Sequence, residues 1–297
     1  MTLASSHIVT LVASREAGSL TPQDAARALA YAEGRALTWL EAGQAVEFLA
    51  PRAPDRQAMA SILNHKAVDI FLTKPRGRRK AVLVADMDST IVTAETLDEL
   101  AAHAGLKDKI AAITARAMNG ELDFHDAIRE RVGLLKGLKL SALEETWNAL
   151  EYSPGARTLV ATMNAFGATT ALVSGGFTVF SARVAAALGF AIHRANLLLD
   201  DGMALTGAVG EPILDKNAKL ATLEELAASR GVKLAATLSV GDGANDLPML
   251  QAAGLGVAYH AKPVVAAEVV NRVVHTDLTA LLFAQGYPAS SFKTAQD

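Results

Sequence analysis

Cysteine is absent from the 297 residues of the chain. Disulfides and thiolate metal sites are therefore excluded, and a reducing compartment is allowed. Long apolar runs are also missing: none approaches the roughly 20 residues that span a bilayer. The start, Met1-Thr2-Leu3-Ala4-Ser5-Ser6-His7, lacks the basic opening and long apolar core of a signal peptide. A soluble cytoplasmic protein with no membrane partner is the expectation. Neither sign of charge dominates, with 28 Lys and Arg against 31 Asp and Glu and a net charge of −3. That balance argues against nucleic acid as the main partner. The seven histidines, His7, His65, His103, His125, His193, His260 and His275, show no metal-ligand spacing, so no zinc site is expected. What the chain does have is a 51% hydrophobic content with 20% charged residues. That composition favours a sizeable core over disorder.

The length allows one large domain and a smaller one. Residues 7–74 form a pattern of their own. A strand is expected over His7–Ala13 and a helix over Thr21–Ala32, opened by Thr21-Pro22 as cap and first helical residue. A hairpin is expected over Ala36–Glu41 and Ala45–Leu49, around Ala42-Gly43-Gln44. A helix over Asp55–His65 and a strand over Val68–Thr73 complete the unit. This β-α-β-β-α-β order is that of ferredoxin-like domains, and ACT regulatory domains share it. The expected domains are thus residues 1–75, ACT-like, and residues 76–297. The loop Ser14-Arg15-Glu16-Ala17-Gly18-Ser19 carries no strong ligand signature. The basic stretch Lys74-Pro75-Arg76-Gly77-Arg78-Arg79-Lys80, with no aromatic residue interleaved, reads as a solvated linker and not a phosphate-backbone contact.

From residue 81 on, strands alternate with helices. Strands are expected at Ala81–Ala85, Thr169–Val173, Ala235–Val240, Gly254–Tyr259 and Arg272–His275. Helices are expected at Ala156–Phe166, Val179–Leu188, Ala218–Ser229 and Asp246–Ala253, with a hairpin over Asn196–Val209. Such alternation gives an α/β fold with a doubly wound, parallel, Rossmann-like sheet. A mostly helical stretch, about 92–155, interrupts it just after the first strand, as a lid would.

Four segments carry chemistry. The buried run Ala81-Val82-Leu83-Val84-Ala85 ends in Asp86-Met87-Asp88-Ser89-Thr90. On a strand, positions i and i+2 share a face, so Asp86 and Asp88 are expected to project together from the carboxyl end, where open α/β sheets place ligands. Two carboxylates there repel unless a cation or proton intervenes. Val173-Ser174-Gly175-Gly176-Phe177 offers a hydroxyl and approachable N–H groups, a corner suited to phosphate at a helix start. Lys219 lies near an expected helix start, where it can reach a phosphate oxygen. Val240-Gly241-Asp242-Gly243-Ala244-Asn245-Asp246 places acidic residues in a glycine turn at another strand end, a donor set that suits Mg²⁺. Asp242 would complete that site, with Asn245 and Asp246 orienting ligands or water behind it. Each segment alone has an ordinary reading as a capped or solvated turn.

In order, the four resemble the motifs of the haloacid dehalogenase superfamily, and most closely its phosphoserine phosphatase branch. The resemblance runs from about 81 to 280. It includes Glu95, Ala117-Met118-Asn119-Gly120, Phe124 and Arg129-Glu130-Arg131-Val132 in the helical insertion, which would be a cap. It implies hydrolysis of a small-molecule phosphomonoester, O-phospho-L-serine, through an aspartyl-phosphate, as the last step of serine biosynthesis. Asp86 would be the nucleophile and Asp88 the general acid and base. Mg²⁺ would be held by Asp86, the Asp88 carbonyl and Asp242. Ser174, Gly175 and Lys219 would hold the phosphoryl oxygens, with Asn245 also at the substrate. Glu95 would bind the substrate ammonium and Arg131 its carboxylate, while Met118 and Phe124 shut out water. Three other readings stand beside this one: phosphoryl transfer to another alcohol, a related phosphatase for another small phosphate in which Glu95 and Arg131 serve other groups, and an amino-acid sensor with an inert phosphatase core. The residues set no oligomeric state, and a homodimer stays open.

Overall fold

The computed structural model describes residues 6–15, 18–118 and 121–294. Asn119-Gly120, Glu16-Ala17 and the first five residues lie outside them, as does the side chain of Met118.

The N-terminal unit runs β1 (His7–Ala13), α1 (Pro22–Tyr31), β2 (Arg35–Glu41), β3 (Ala45–Ala50), α2 (Arg56–Ile62) and β4 (Val68–Thr73). Its antiparallel sheet has the order β2-β3-β1-β4. The helix α1 starts where it does because Thr21 and Asp24 cap each other. The Asp24 N–H donates to Thr21 Oγ1 at 3.1 Å, and the Thr21 N–H to Asp24 Oδ2 at 2.9 Å. Strand alternation divides the sheet between two cores. Val9, Leu11, Val46 and Phe48 pack with Ala25 and Met59 of the helices. Val12, Ala45 and Phe71 belong to the main core of the molecule.

The rest of the chain builds the α/β layers. Its elements are β5 (Val82–Ala85), α3 (Thr96–His103), α4 (Lys107–Met118), α5 (Phe124–Gly133), α6 (Ser141–Asn148), α7 (Ala156–Ala165), β6 (Thr169–Phe177), α8 (Thr178–Leu188), β7 (Ile192–Asn196), β8 (Leu198–Asp200) and β9 (Leu205–Val209). There follow α9 (Lys216–Ser229), β10 (Thr237–Gly241), α10 (Leu247–Ala252), β11 (Leu255–Tyr259), α11 (Pro263–Glu268), β12 (Asn271–Val273) and α12 (Ala280–Ala284). A parallel six-stranded sheet has the order β12-β11-β10-β5-β6-β7. Its strand β5 is fully buried between β10 and β6, which explains its unbroken apolar sequence. From β5 the chain goes to its neighbour β6 on one side and later returns through β10 on the other, so the carboxyl ends of these three parallel strands lie side by side.

Helices α3 to α6 form the insertion. An antiparallel bridge between Val92 and Tyr152 ties its entrance to its exit. The β8–β9 hairpin props it from the other side, through the Gly137 N–H to Leu205 O at 2.8 Å and a bridge between Lys139 and Ala204. Among the described residues no helix is long and apolar enough to cross a membrane.

Four expectations need correction. The basic stretch is not simply solvated. Arg78 forms a half-buried ion pair with Glu47 of β3 at 2.5 Å, and Lys80 donates through Nζ to Ala235 O at 2.7 Å. Burial pushes the Lys80 ammonium down to about 8. Strand β6 runs on to Phe177 and does not end in a corner after Val173, because the two glycines stay extended; α8 then opens at Thr178, next to the expected start at Val179. The expected strand from Ala235 starts at Thr237, after a short 3₁₀ turn over Leu234–Ala236. Strand β7 was not anticipated; its half-exposed, polar-rich sequence follows from its place at the sheet edge.

Candidate active site

Asp86 lies just past the last residue of β5. A tight turn follows, in which Met87 O accepts the N–H groups of Thr90, Ile91 and Val92 at 3.3, 2.8 and 3.0 Å. Both aspartates thus sit in or before this turn, beyond the strand. Strand alternation is therefore not what brings them together; the turn is. Asp86 Oδ1 accepts the Met87 N–H at 2.8 Å and the Lys219 ammonium at 2.7 Å. Asp88 splits its oxygens: Oδ1 accepts the N–H of Thr96, the first residue of α3, at 2.8 Å, and Oδ2 accepts the Ser174 hydroxyl at 3.0 Å. An otherwise orphaned helix N–H thus fixes the carboxylate.

Ser174 in turn accepts the Gly176 N–H at 2.8 Å. A Cβ on Gly176 would stand 2.8 Å from Asp88 Oδ2 and 3.0 Å from Ser174 Oγ, so only glycine lets β6 approach the aspartate this closely. Gly175 is held from the other side by Asn196 of β7, whose Nδ2 donates to Gly175 O at 2.8 Å. Asn196 Oδ1 also accepts the Leu214 N–H at 2.7 Å, so this buried amide joins β6 to the loop before α9.

Lys219 stands in the first turn of α9, where the helix dipole disfavours a cation. Its ammonium is nevertheless buried, bridging Asp246 Oδ1 at 2.6 Å and Asp86 Oδ1 at 2.7 Å. Burial alone would lower its pKa; the Asp246 and Asp86 carboxylates outweigh that and raise it. Asp246 also accepts the N–H groups of Asp242 and Gly243 at 3.1 and 3.0 Å. Asp242 accepts the Thr90 hydroxyl at 3.2 Å.

Asp86, Asp242 and Asp246 can place one oxygen each within 4.8 Å of one another. One ammonium does not balance three buried carboxylates. Burial first, then Asp246, push Asp86 up despite Lys219. Burial, then Asp246 and Glu95, push Asp242 up to about 6. An all-oxygen donor set short of positive charge suits a hard divalent cation. Asp246 is already occupied by Lys219 and backbone N–H groups, which leaves Asp86 and Asp242 as the freer donors. The Asp88 carboxylate is engaged with Thr96 and Ser174 and stands outside the cluster. Burial, then Glu95, push its pKa up, while the Thr96 N–H opposes them.

The cap residues are less uniform. Phe124 opens α5 and comes within 3.8 Å of the place a Cβ on Gly175 would occupy, so its ring covers that glycine. Glu95 is exposed at the start of α3 and accepts the Ser89 hydroxyl at 2.7 Å. Arg131 is half-buried on α5, its Nε donating to Ala127 O at 3.3 Å. It faces the carboxylates of Asp98 and Glu95. Burial raises the Asp98 pKa, and Arg131 opposes the rise. Asn245 is exposed at the rim. Asp98, Thr90 and Asn196 were assigned no role from sequence. Asp98 lies one helical turn after Glu95, a spacing that marks a shared face; Thr90 ends the Asp86–Thr90 segment, and Asn196 has no local signal.

Residues 83–251 match the model of the haloacid dehalogenase-like hydrolases. The chain belongs to that family. Its sequence relatives include phosphoserine phosphatases. One from Streptomyces coelicolor is 44% identical over 71% of this chain, and one from Streptococcus thermophilus is 44% identical over 67%. The match spans about half of the Streptomyces protein, 52%, and 93% of the Streptococcus one. Among solved structures, a probable phosphoserine phosphatase from Vibrio cholerae aligns over 97% of this chain and 88% of its own, at 33% identity and a TM-score of 0.77. A phosphoserine phosphatase solved as a phospho-aspartyl intermediate analogue aligns over 69% of this chain and 98% of its own, at 37% identity and a TM-score of 0.64.

Proposed function

We propose that the chain hydrolyses O-phospho-L-serine to serine and phosphate through a phosphoryl group carried on Asp86. The reading rests on one arrangement above all: a buried Asp86 oxygen held by Lys219 at 2.7 Å, beside an Asp88 carboxyl held by Ser174 at 3.0 Å. An Asp86 oxygen attacks phosphorus, and the bond from phosphorus to the serine oxygen breaks. Asp88, whose environment favours the protonated form, gives its proton to that leaving oxygen. The resulting Asp88 carboxylate takes a proton from water. That water attacks phosphorus, releasing phosphate and restoring Asp86.

Lys219, the Ser174 hydroxyl and backbone N–H groups at Gly175 would hold the phosphoryl oxygens as negative charge gathers on them. Asp86, Asp242 and the carbonyl of Asp88 would hold Mg²⁺, with Asp246 steadying the site. When bound, the ion would offset repulsion between the Asp86 carboxylate and the phosphate dianion. Arg131 would take the substrate carboxylate with its fork, and Glu95 the ammonium. Phe124 would exclude water above Gly175. The expected place of action is the cytoplasm.

Phosphate release from L-phosphoserine, with and without Mg²⁺, tests the reading beside phosphothreonine, sugar phosphates and an Asp86→Asn control. Mg²⁺-dependent release that prefers phosphoserine and disappears in the control is the expected result. Turnover of other phosphates but not phosphoserine would discard the amino-acid clamp of Glu95 and Arg131.

A further inference from the structure

Away from the active site, a cleft of about 150 Å³ opens where the N-terminal unit meets the edge of the parallel sheet. Arg56, Val68, Asp69 and Ile70 line it from one side, and Arg272, Val274 and His275 from the other. Its two guanidiniums are close enough to repel. Burial and the Arg272 charge together bring Arg56 down to about 10, against the opposing pull of Asp69. Among the described residues, neither arginine has a carboxylate within the 4.0 Å of an ion pair. Arg56 Nε is buried without a hydrogen-bond partner, and Arg56 Nη2 reaches only the neutral Asn271 Oδ1, at 3.3 Å. Arg272 Nη1 donates to Ala266 O at 2.7 Å. The nearby Asp69 does not neutralise them at contact. Its oxygens accept the N–H groups of Val274, His275 and Thr276 at 3.0 to 3.2 Å, and the Thr276 hydroxyl at 2.6 Å.

Two partly buried cations with spare donors, facing each other across a cleft, are an unfavourable arrangement without an anion between them. Guanidinium forks match the tetrahedral oxygens of a phosphate group, and two of them outweigh the Asp69 carboxylate, whose oxygens are taken up by the 274–276 backbone. We propose that this cleft binds a small phosphate-class dianion between Arg56 and Arg272, joining the N-terminal unit to the parallel sheet. A second cleft of about 230 Å³, which shares Arg272 and Val274 and adds Ala258, Ala261 and Ala266, gives room for an organic group on such a ligand. Nothing in this inference depends on the reaction at Asp86.

Thermal unfolding of the full-length chain in rising inorganic phosphate, without Mg²⁺, tests the proposal, since a ligand of the folded state raises the midpoint by mass action. Arg56→Met and Arg272→Met are each expected to reduce the phosphate-dependent rise and to weaken this site at least tenfold. Each variant also loses a hydrogen bond, Arg56 to Asn271 Oδ1 or Arg272 to Ala266 O, so each is compared with its own midpoint in phosphate-free buffer. An unchanged phosphate response in both folded variants would overturn the proposal. Propylphosphonate, which carries no cleavable ester, serves as the second arm. Tighter binding than phosphate identifies a monoester-type ligand, and equal or weaker binding a free ion. Should the variants not fold, selenate soaked into crystals of the unaltered chain decides: anomalous density between the guanidiniums supports the site, and none at saturating selenate rejects it.

Discussion

Asp242 has a carboxyl pushed up to about 6 from an ordinary value of 3.8. The folded protein therefore keeps this proton to higher pH than the unfolded chain does. In metal-free protein, stability should fall as pH rises from about 4 to about 6 and stay low above it, by roughly 3 kcal/mol from this group. Asp86 and Asp88, also raised, act in the same direction. A divalent cation that prefers the ionised carboxylates should reverse the loss at neutral pH. Urea unfolding at pH 4, 6 and 7.5, with and without Mg²⁺, measures it; a metal-free protein most stable at pH 7.5 would contradict the account. The residues concerned were legible in the sequence because each ends a buried apolar strand, and a charge in that place stands out. Asn196 was not. Its burial and its bonds to Gly175 and Leu214 join segments far apart in the chain, and nothing around it in sequence marks a buried amide.

The cap is an element-scale device. Its helices were expected over about 92–155, and α3 to α6 occupy that stretch. Their placement over the sheet edge could not be read, because helical periodicity shows which face is apolar and not what covers it. Arg131 illustrates the gap. Its fork is partly buried beside Asp98 and Glu95, so an incoming carboxylate would find a guanidinium already desolvated. Arg131→Ala should lower kcat/KM for phosphoserine by about 100-fold, on the order of 3 kcal/mol for a charged hydrogen-bonded contact. Turnover of a simple aryl phosphate should change little. Equal losses on both substrates would remove Arg131 as a carboxylate clamp. Strand β6 shows the opposite error of local reading. Two glycines suggest a turn, yet Ser174 to Phe177 stay extended, because Gly176 has to pass against Asp88 and Ser174.

At the scale of the whole molecule, the N-terminal unit is joined to the rest by more than a linker. Val12, Leu40, Ala45 and Phe71 share one buried cluster with Leu278, Leu281 and Phe283, and α12 packs on β1 and β4. Asp69 adds the polar clasp on the 274–276 backbone. Asp69→Ala would leave those N–H groups without acceptors and is expected to cost about 3 kcal/mol. Urea unfolding measures this, and a variant within about 0.5 kcal/mol of the parent would show that the clasp is dispensable. The β-α-β-β-α-β order was readable from turns and alternation. The junction was not, since the apolar faces of β1 and β4 look the same whether they meet a helix or another unit.

Asn271 closes this junction in a way that matters for the protein's life in a crowded cell. It sits on β12, at one end of the six-stranded sheet, and Leu72 sits on β4, at one end of the four-stranded sheet. The Asn271 amide accepts the Leu72 N–H at 2.8 Å and donates to Leu72 O at 3.3 Å, as a neighbouring strand would. Two open margins, each able to recruit a stray strand from another molecule, are turned toward each other and closed by side chains, Asn271 at Leu72 and Asp69 at the 274–276 backbone. A chain whose halves failed to meet during synthesis would therefore expose two strand borders at once, each a template for pairing with another molecule.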